Sequence, residues 1–229
     1  MPLRRGLLML LLAASVACGS TDPSGGLPPG DAQLAILNAL PEGTVATLLL
    51  DDAALSVPAS GTRISRVVPA GTHRLEARAE GGRILSSAQF AVSVGGRRTA
   101  ILGGAVIGGG AVVIAADTAS LPRATEVKVR VINTVQGTPA LDAWLSVAGV
   151  PLDSAARLVS PLEYGATAGG EFPGFVIRPP GTYRLGITAQ ATGMVEVERV
   201  VSLGGGEVWS LILVRRSSGE LEVVPIREA

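Results

Sequence analysis

Several residue types are almost absent from this sequence. Of 229 residues, one is cysteine (Cys18), one is histidine (His73), one is lysine (Lys128) and seven are aromatic. A lone cysteine excludes an intramolecular disulfide, and one histidine with one cysteine cannot supply the several nitrogen or sulfur ligands of a zinc site. Basic and acidic side chains balance at 19 each without forming a basic stripe, so we expect no nucleic-acid partner.

The same scarcity restricts catalysis. Nucleophilic hydrolysis needs a serine or cysteine beside a base, and His73 is the only histidine. In a related segment further along the chain Tyr183 takes its place, which favours a packing position on an outer strand. No Gly-x-x-x-x-Gly-Lys-Ser/Thr loop is present. We therefore predict no catalytic residue, no metal and no cofactor; a carboxylate pair of the glycosidase type stays open as an alternative.

The N-terminal segment has the pattern of an export signal. Arg4 and Arg5 precede an apolar run over residues 7–14 (LLMLLLAA), and small residues follow at 15–17. This run is shorter than the ~20 apolar residues that span a bilayer. The pattern predicts a signal peptide over residues 1–17.

The end of this signal resembles the precursors of bacterial lipoproteins, in which small residues precede a cysteine that is acylated and becomes the N-terminus. Val16 and Ala17 fit that pattern, whereas Ser15 stands where leucine is usual. The resemblance implies a lipid such as palmitate on Cys18 and a membrane-anchored protein. The alternative is an ordinary signal peptide followed by a free thiol.

Residues 18–31 are rich in glycine, proline and serine, which predicts a flexible tether. Without the two arginines of the signal, acidic side chains exceed basic ones, for a net charge near −2. Gly19 differs from the aspartate that retains some lipoproteins at the inner membrane. We expect a location in the cell envelope, at the outer membrane or cell surface.

Three blocks of sequence occur twice in the same order, which indicates a duplicated domain. The first copy contains AQLAILNALPEGTVATLLLDDAAL, VPAGTHRLEARAEGG and VSVGGRRTAIL, and the second contains VKVRVINTVQGTPALDAWLSVAGVPL, RPPGTYRLGITAQATG and VSLGGGEVWSLIL. We predict one domain over residues 32–121 and another over residues 122–229.

Alternation of apolar and charged residues predicts β-strands in both copies. Residues 73–80 and 127–131 each place apolar side chains on one face and charged side chains on the other. One charged face indicates antiparallel strands over a single core. About seven short strands per copy then predict an all-β protein of two antiparallel β-sandwich domains, of immunoglobulin-like or transthyretin-like type.

Glycines mark the predicted turns. Gly181 after Pro180 suits the third position of a type II turn, which needs a positive φ. The pairs at 95–96 and 204–205 predict a hairpin common to both copies. Residues 100–116 lack charge and contain a Gly-x-x-x-Gly spacing, so a membrane helix is an alternative there. Because five of the 17 residues are glycine, we favour two strands joined at 108–110.

The blocks resemble a bacterial family of exported proteins, domain of unknown function 4397, which often occurs in tandem. The resemblance is carried by AILNA, VPAGTHRLEAR and VSVGG in the first copy and by VKVRVINT, ALDAWLSVAG and PPGTYRLGIT in the second. Residues 41–43 (PEG) followed by VPAGTHRLEARAEGG also resemble the PEGA surface-repeat family. Neither resemblance implies a catalytic site; both imply an envelope or surface role.

Two features are candidate binding sites. Asp51 and Asp52 could contribute to a calcium site, but adjacent aspartates without an Asp-x-Asp loop favour a polar hairpin turn. The second feature is an insertion: 48 positions separate Asn133 from Gly181, against 33 between Asn38 and Gly71, which gives the second copy 15 extra residues.

The inserted segment contains Tyr164, Phe172 and Phe175. Aromatic rings on a loop suit contact with an envelope protein or a sugar ring, and the alternative is a lid over the core. The sequence thus predicts a non-enzymatic envelope lipoprotein that acts as a structural or protein-interaction module. The alternative is a glycan-binding surface protein.

Overall fold

The computed structural model of the protein describes residues 30–104, 110–116, 120–152, 155–165 and 175–229. The predicted signal peptide, Cys18, most of the predicted tether and Phe172 lie outside these residues. Among the described residues, no helix has the length and apolarity needed to cross a membrane.

Strands are the dominant secondary structure of the described residues, which contain almost no helix, and this confirms the predicted all-β class. The first half contains β1 (Asp31–Asn38), β2 (Thr47–Leu50), β3 (Ala53–Leu55), β4 (Thr62–Pro69), β5 (Gly71–Arg78), β6 (Ile84–Val92), β7 (Arg97–Gly104) and β8 (Gly110–Ala116). The second half contains β9 (Val127–Asn133), β10 (Leu141–Val147), β11 (Ala156–Val159), β12 (Val176–Arg178), β13 (Gly181–Ala189), β14 (Val195–Leu203), β15 (Val208–Arg215) and β16 (Leu221–Arg227). Among the described residues, each half thus has eight strands, where about seven were predicted.

Four sheets of four strands are formed, two in each half, in the manner of a β-sandwich. One sheet of each half faces the other half, and we call these two the inner sheets; their strand orders are β4-β1-β7-β8 and β12-β9-β15-β16. The other two, the outer sheets, have the orders β3-β2-β5-β6 and β11-β10-β13-β14. Strand for strand, the second half repeats the order of the first. Each half encloses one core between its inner and its outer sheet.

Not all strand pairs are antiparallel, which corrects the prediction. β1 pairs with β7 in parallel, and β9 pairs with β15 in parallel. Parallel neighbours need a crossover rather than a tight turn. Here the strands of the outer sheet provide the crossover. After β1 the chain enters the outer sheet, and it has formed β2, β3, β5 and β6 there before it forms β7 in the inner sheet.

The central strands of the inner sheets are buried on both faces. Along β1, Leu34 and Ile36 contact the core of the first sandwich, whereas Leu37 belongs to a third core between the two inner sheets. This third core consists of apolar residues from both halves: Ala35, Leu37, Ala39, Ile101, Val113, Ile132, Ile212, Val214 and Ile226. The two sandwiches therefore stack as four layers, with the inner sheets in the middle.

A buried ion pair lies at the same interface. The Nη2 atom of Arg130 lies 2.7 Å from Oε1 of Glu228, and Arg130 Nε donates to the hydroxyl of Ser210 at 2.7 Å. Arg63 of the first sandwich donates to the carbonyl of Glu228. The charged face predicted for the strand at 127–131 is therefore not a solvent face at Arg130, whose exposed fraction is 3%.

The predicted turns are only partly correct. Gly181 does not have a positive φ; it is the first residue of β13 and pairs with Leu203. The glycine pairs at 95–96 and 204–205 are not hairpins, since they link an outer sheet to an inner one. Residues 100–104 and 110–116 are strands, as favoured, whereas 105–109 lie outside the described residues.

Candidate functional site

His73 is held in a buried hydrogen-bonded position on β5. Its Nδ1 atom lies 2.6 Å from Oδ2 of Asp51, and its Nε2 atom lies 2.8 Å from the carbonyl oxygen of Pro69. The ring also packs 5.7 Å from that of Phe90, centroid to centroid. Since both ring nitrogens face acceptors, both donate, and the arrangement suits the protonated imidazolium.

The pKa values of the two partners follow from this geometry. Burial alone would lower the pKa of His73, but the hydrogen bonds to Asp51 and to the Pro69 carbonyl outweigh it and raise the pKa above 6.5. The hydrogen bond from His73 lowers the pKa of Asp51 below 3.8, against the opposing effect of burial and with help from the backbone N–H of Arg74. His73 is thus a hydrogen-bonded structural side chain, and it lies on a central strand of its sheet, not on an outer strand as predicted.

Asp51 and Asp52 form the predicted polar hairpin turn. Their φ values are +50° and +66°, and the flanking residues Leu50 and Ala53 pair across the turn. Two central residues with positive φ define a type I′ turn, which aspartate tolerates. The Asp52 carboxylate lies 2.5 Å from Nη2 of Arg74. In the parts of the chain that the structure describes, no three His, Cys, Asp or Glu side chains gather as metal ligands.

Tyr164 borders a groove at one end of the second sandwich. The groove has a volume of about 320 Å³. Polar side chains, one aromatic ring and several apolar residues line it: Gly137, Thr138, Pro139, Ala140, Pro161, Leu162, Glu163, Tyr164 and Gln190. The hydroxyl of Tyr164 accepts a hydrogen bond from Nε2 of Gln136 at 3.1 Å.

A polar network lies beside this groove. Nε2 of Gln190 donates to Oδ1 of Asp142 at 2.6 Å, and Arg157 lies 3.5 Å from the other oxygen of that carboxylate. Burial would raise the pKa of Asp142, but hydrogen bonds from Ser160 and Gln190 together with Arg157 lower it. Gln190 is thereby held at the wall of the groove by a buried carboxylate.

The three aromatic candidates do not form one cluster among the described residues. Phe175 packs against Arg130, whose guanidinium carbon lies 4.3 Å from the ring centroid. Tyr164 has different neighbours, at Gln136 and in the parallel bridge to Asn133. Phe172 lies outside the described residues. The structure therefore gives Phe175 a packing partner and leaves Tyr164 as the ring at the groove.

Sequence reasoning missed a second cavity, a cleft of about 520 Å³ where the two sandwiches meet. Residues of both halves line the cleft: Ala39, Pro41, Ser60, Gly61, Arg199, Arg216, Ser217, Glu222, Val224 and Pro225. Arg216 contacts Glu222 through Nε and Nη2, both at 2.6 Å. The adjacent arginines at 215–216 were a signal in the sequence, but the residues of the first half that line the cleft with Arg216 were not.

The fold defines an all-β protein whose two halves are each built from two four-stranded sheets. Residues 32–144 match the model of the family described as "Domain of unknown function (DUF4397)". The matched segment, which confirms the family resemblance, runs from the first sandwich into β10 of the second.

No curated protein matches the sequence. Among solved structures, the chain is similar to one described as a "putative cell adhesion protein" from Bacteroides eggerthii. The identity is 9%, the alignment covers 88% of this chain and 97% of that chain, and the TM-score is 0.25. A TM-score this low does not establish a shared fold.

Proposed function

We propose that the protein is an exported lipoprotein of the cell envelope, without enzymatic activity, that presents two β-domains as one structural or protein-interaction module. The observation that carries the proposal is the third apolar core between the inner sheets. Two sandwiches joined by a flexible linker alone would move independently, whereas a shared core holds them as one body. Such a body is suited to displaying its loops at a fixed spacing from a membrane.

The envelope location rests on the signal over residues 1–17 and on Cys18 as the site of palmitate or a related lipid. The type of sandwich also belongs to this proposal. In immunoglobulin constant-type sandwiches the first strand pairs with the second. Here β1 pairs with β4 and β7, which favours the transthyretin-like type and a duplicated domain of that type.

Fractionation of cells that express the tagged full-length chain or its Cys18→Ser variant tests the anchor. We expect the unaltered chain to incorporate a palmitate analogue and to sediment with membranes, and the variant to do neither. Identical soluble behaviour of the two chains would overturn the anchored module.

Cross-linking in intact cells tests the interaction role. We expect the unaltered chain to capture the same envelope protein in repeated experiments, and the Cys18→Ser variant to lose it. Turnover of a glycoside by the purified protein, abolished by a single Asp or Glu substitution, would contradict the non-enzymatic assignment.

A second candidate function is glycan binding, favoured by the groove at Tyr164. Aromatic rings stack on sugar rings, and amide and carboxylate groups bind hydroxyls. Gln190 and Glu163 provide those groups in the groove beside Tyr164. The groove has a volume at the low end of the range for small-ligand sites.

Titration of envelope glycan fragments into the purified protein tests this candidate. We expect Tyr164→Ala to abolish binding and Tyr164→Phe, which keeps the ring, to retain it. Phe172→Ala asks whether the inserted segment of the sequence takes part. Equal binding by the unaltered protein and Tyr164→Ala would exclude this groove as a glycan site.

A further inference from the structure

The cleft between the sandwiches has an excess of positive charge. Two guanidinium groups, Arg199 and Arg216, line it together with a single carboxylate, Glu222. Glu222 lies 2.6 Å from Arg216 and 3.5 Å from Arg199, so one negative charge is shared between two positive ones. The exposed fractions of the three side chains are 40%, 55% and 25%, and all three are therefore accessible to a solute.

Several hydrogen-bond donors in the cleft are not used within the protein. Arg216 binds Glu222 through Nε and Nη2, which leaves Nη1 without a hydrogen-bond partner among the described residues. Arg199 donates through Nη1 to the carbonyl of Val223 at 2.9 Å, and its Nε and Nη2 have no partner in the same part of the chain. Guanidinium forks recognise carboxylate and phosphate through two parallel hydrogen bonds.

The remaining lining fits the rest of a small ligand. Pro41, Val224 and Pro225 provide apolar surface, and Ser60 and Ser217 provide hydroxyl groups. The volume of about 520 Å³ lies within the usual range for small-molecule sites, which occur preferentially at domain interfaces. A lone inorganic ion would leave most of this space unfilled.

We propose that this cleft binds a small organic anion, whose carboxylate or phosphate group is held by Arg199 and Arg216 and whose body contacts the first sandwich at Pro41 and Ser60. Because the lining comes from both halves, the ligand bridges the two sandwiches. The proposal concerns a site apart from the Tyr164 groove and is independent of the lipid on Cys18.

Isothermal titration of the purified protein with citrate and with inorganic phosphate tests the proposal. Sodium chloride of matched ionic strength separates specific binding from screening. We expect saturable binding of citrate, weaker binding of phosphate, and a loss of about tenfold in affinity for each of Arg199→Gln and Arg216→Gln. Arg74→Gln is the matched control, because Arg74 also pairs with an exposed carboxylate but lies outside the cleft.

A substitution that is expected to strengthen binding distinguishes loss of the site from loss of the folded structure. Glu222→Gln removes the internal competitor of the anion, so we expect it to strengthen citrate binding several-fold, although it removes two ion pairs. A purely structural role of the arginines predicts no gain. Absence of saturable binding, equal weakening by Arg74→Gln, or weaker binding by Glu222→Gln would overturn the proposal.

Discussion

His73 in β5 and Tyr183 in β13 each donate a hydrogen bond to the carbonyl oxygen of a proline four residues earlier in the chain. The distances are 2.8 Å from His73 Nε2 to Pro69 and 2.7 Å from the Tyr183 hydroxyl to Pro179. In both halves the ring belongs to the outer sheet, and the proline lies at or just beyond the end of an edge strand of the inner sheet. Two different side chains therefore form the equivalent hydrogen bond between the outer and the inner sheet in the two halves.

Substitution at His73 measures the contribution of this junction. We expect His73→Ala to lower the free energy of unfolding by about 2–3 kcal/mol, because it removes two hydrogen bonds and leaves a cavity beside Phe90. His73→Tyr is expected to lose less than half as much, since a phenol can reach the Pro69 carbonyl. Urea unfolding measures both, and equal losses would contradict the equivalence with Tyr183.

The ion pair of His73 with Asp51 makes stability depend on pH. The raised pKa of His73 means that its contribution is complete below pH 6.5 and is lost as the pH rises through the higher folded-state value. The lowered pKa of Asp51 means that its contribution is complete above pH 3.8 and is lost as the pH falls further. The pair therefore stabilises the fold most between these two values.

Unfolding at about pH 5.5 and about pH 9 tests this window. At the lower pH we expect the unaltered protein to exceed Asp51→Asn in stability by only about 1 kcal/mol, because half-exposed Asp51 is screened by solvent. At the higher pH we expect a smaller difference, because His73 loses its proton. Asp52→Asn, which changes the neighbouring turn residue, serves as the control. A difference that is constant with pH would argue against a protonated His73.

The buried ion pair of Arg130 with Glu228 is expected to be essential to the interface. Glu228→Ala leaves a buried guanidinium without its carboxylate, which costs about 3–5 kcal/mol. Glu198→Ala removes the partly exposed ion pair with Arg184 at a position without a positive φ, and is expected to cost less than about 1 kcal/mol. Chemical denaturation compares the two variants, and similar small losses would show that the pair contributes little.

The third core predicts that the two sandwiches unfold together. Ile101→Asp places a charge between the inner sheets, so we expect calorimetry to resolve two transitions instead of one. Val67→Asp introduces the same charge at an exposed position of an inner sheet and is expected to keep the single transition. A single unchanged transition in Ile101→Asp would mean that the sandwiches are not coupled through this core.

The core face of β5 was predictable from the alternation of its apolar residues, although Glu76 on the face predicted to be charged is also buried. Leu75 and Ala77 lie in the first core, as their pattern requires. The direction of pairing was not predictable, because a strand such as β1 has the same alternation whether its neighbour is parallel or antiparallel. The hairpin at Asp51 and Asp52 was predictable from its residues alone, since its hydrogen bonds are local.

The interface between the sandwiches was hidden in the sequence. Arg130 alternates with apolar residues and so indicates a solvent-exposed face, whereas the structure buries it against Glu228, 98 residues later. Scarcity of aromatic residues directed attention to Tyr164, which does border a groove. The cleft at Arg199 could not be found in this way, because its lining is gathered from segments between Ala39 and Pro225.

The position of β1 determines how the fold responds to mechanical force. β1 is the first strand of the described residues, and it lies between β4 and β7 in its sheet, with register pairs along its length on both sides. Tension applied from the N-terminal side acts along β1. For β1 to slide past β4 and β7, its hydrogen bonds to both strands must break together instead of one after another. A protein held by that end would therefore be loaded along a central strand that is hydrogen-bonded on both sides.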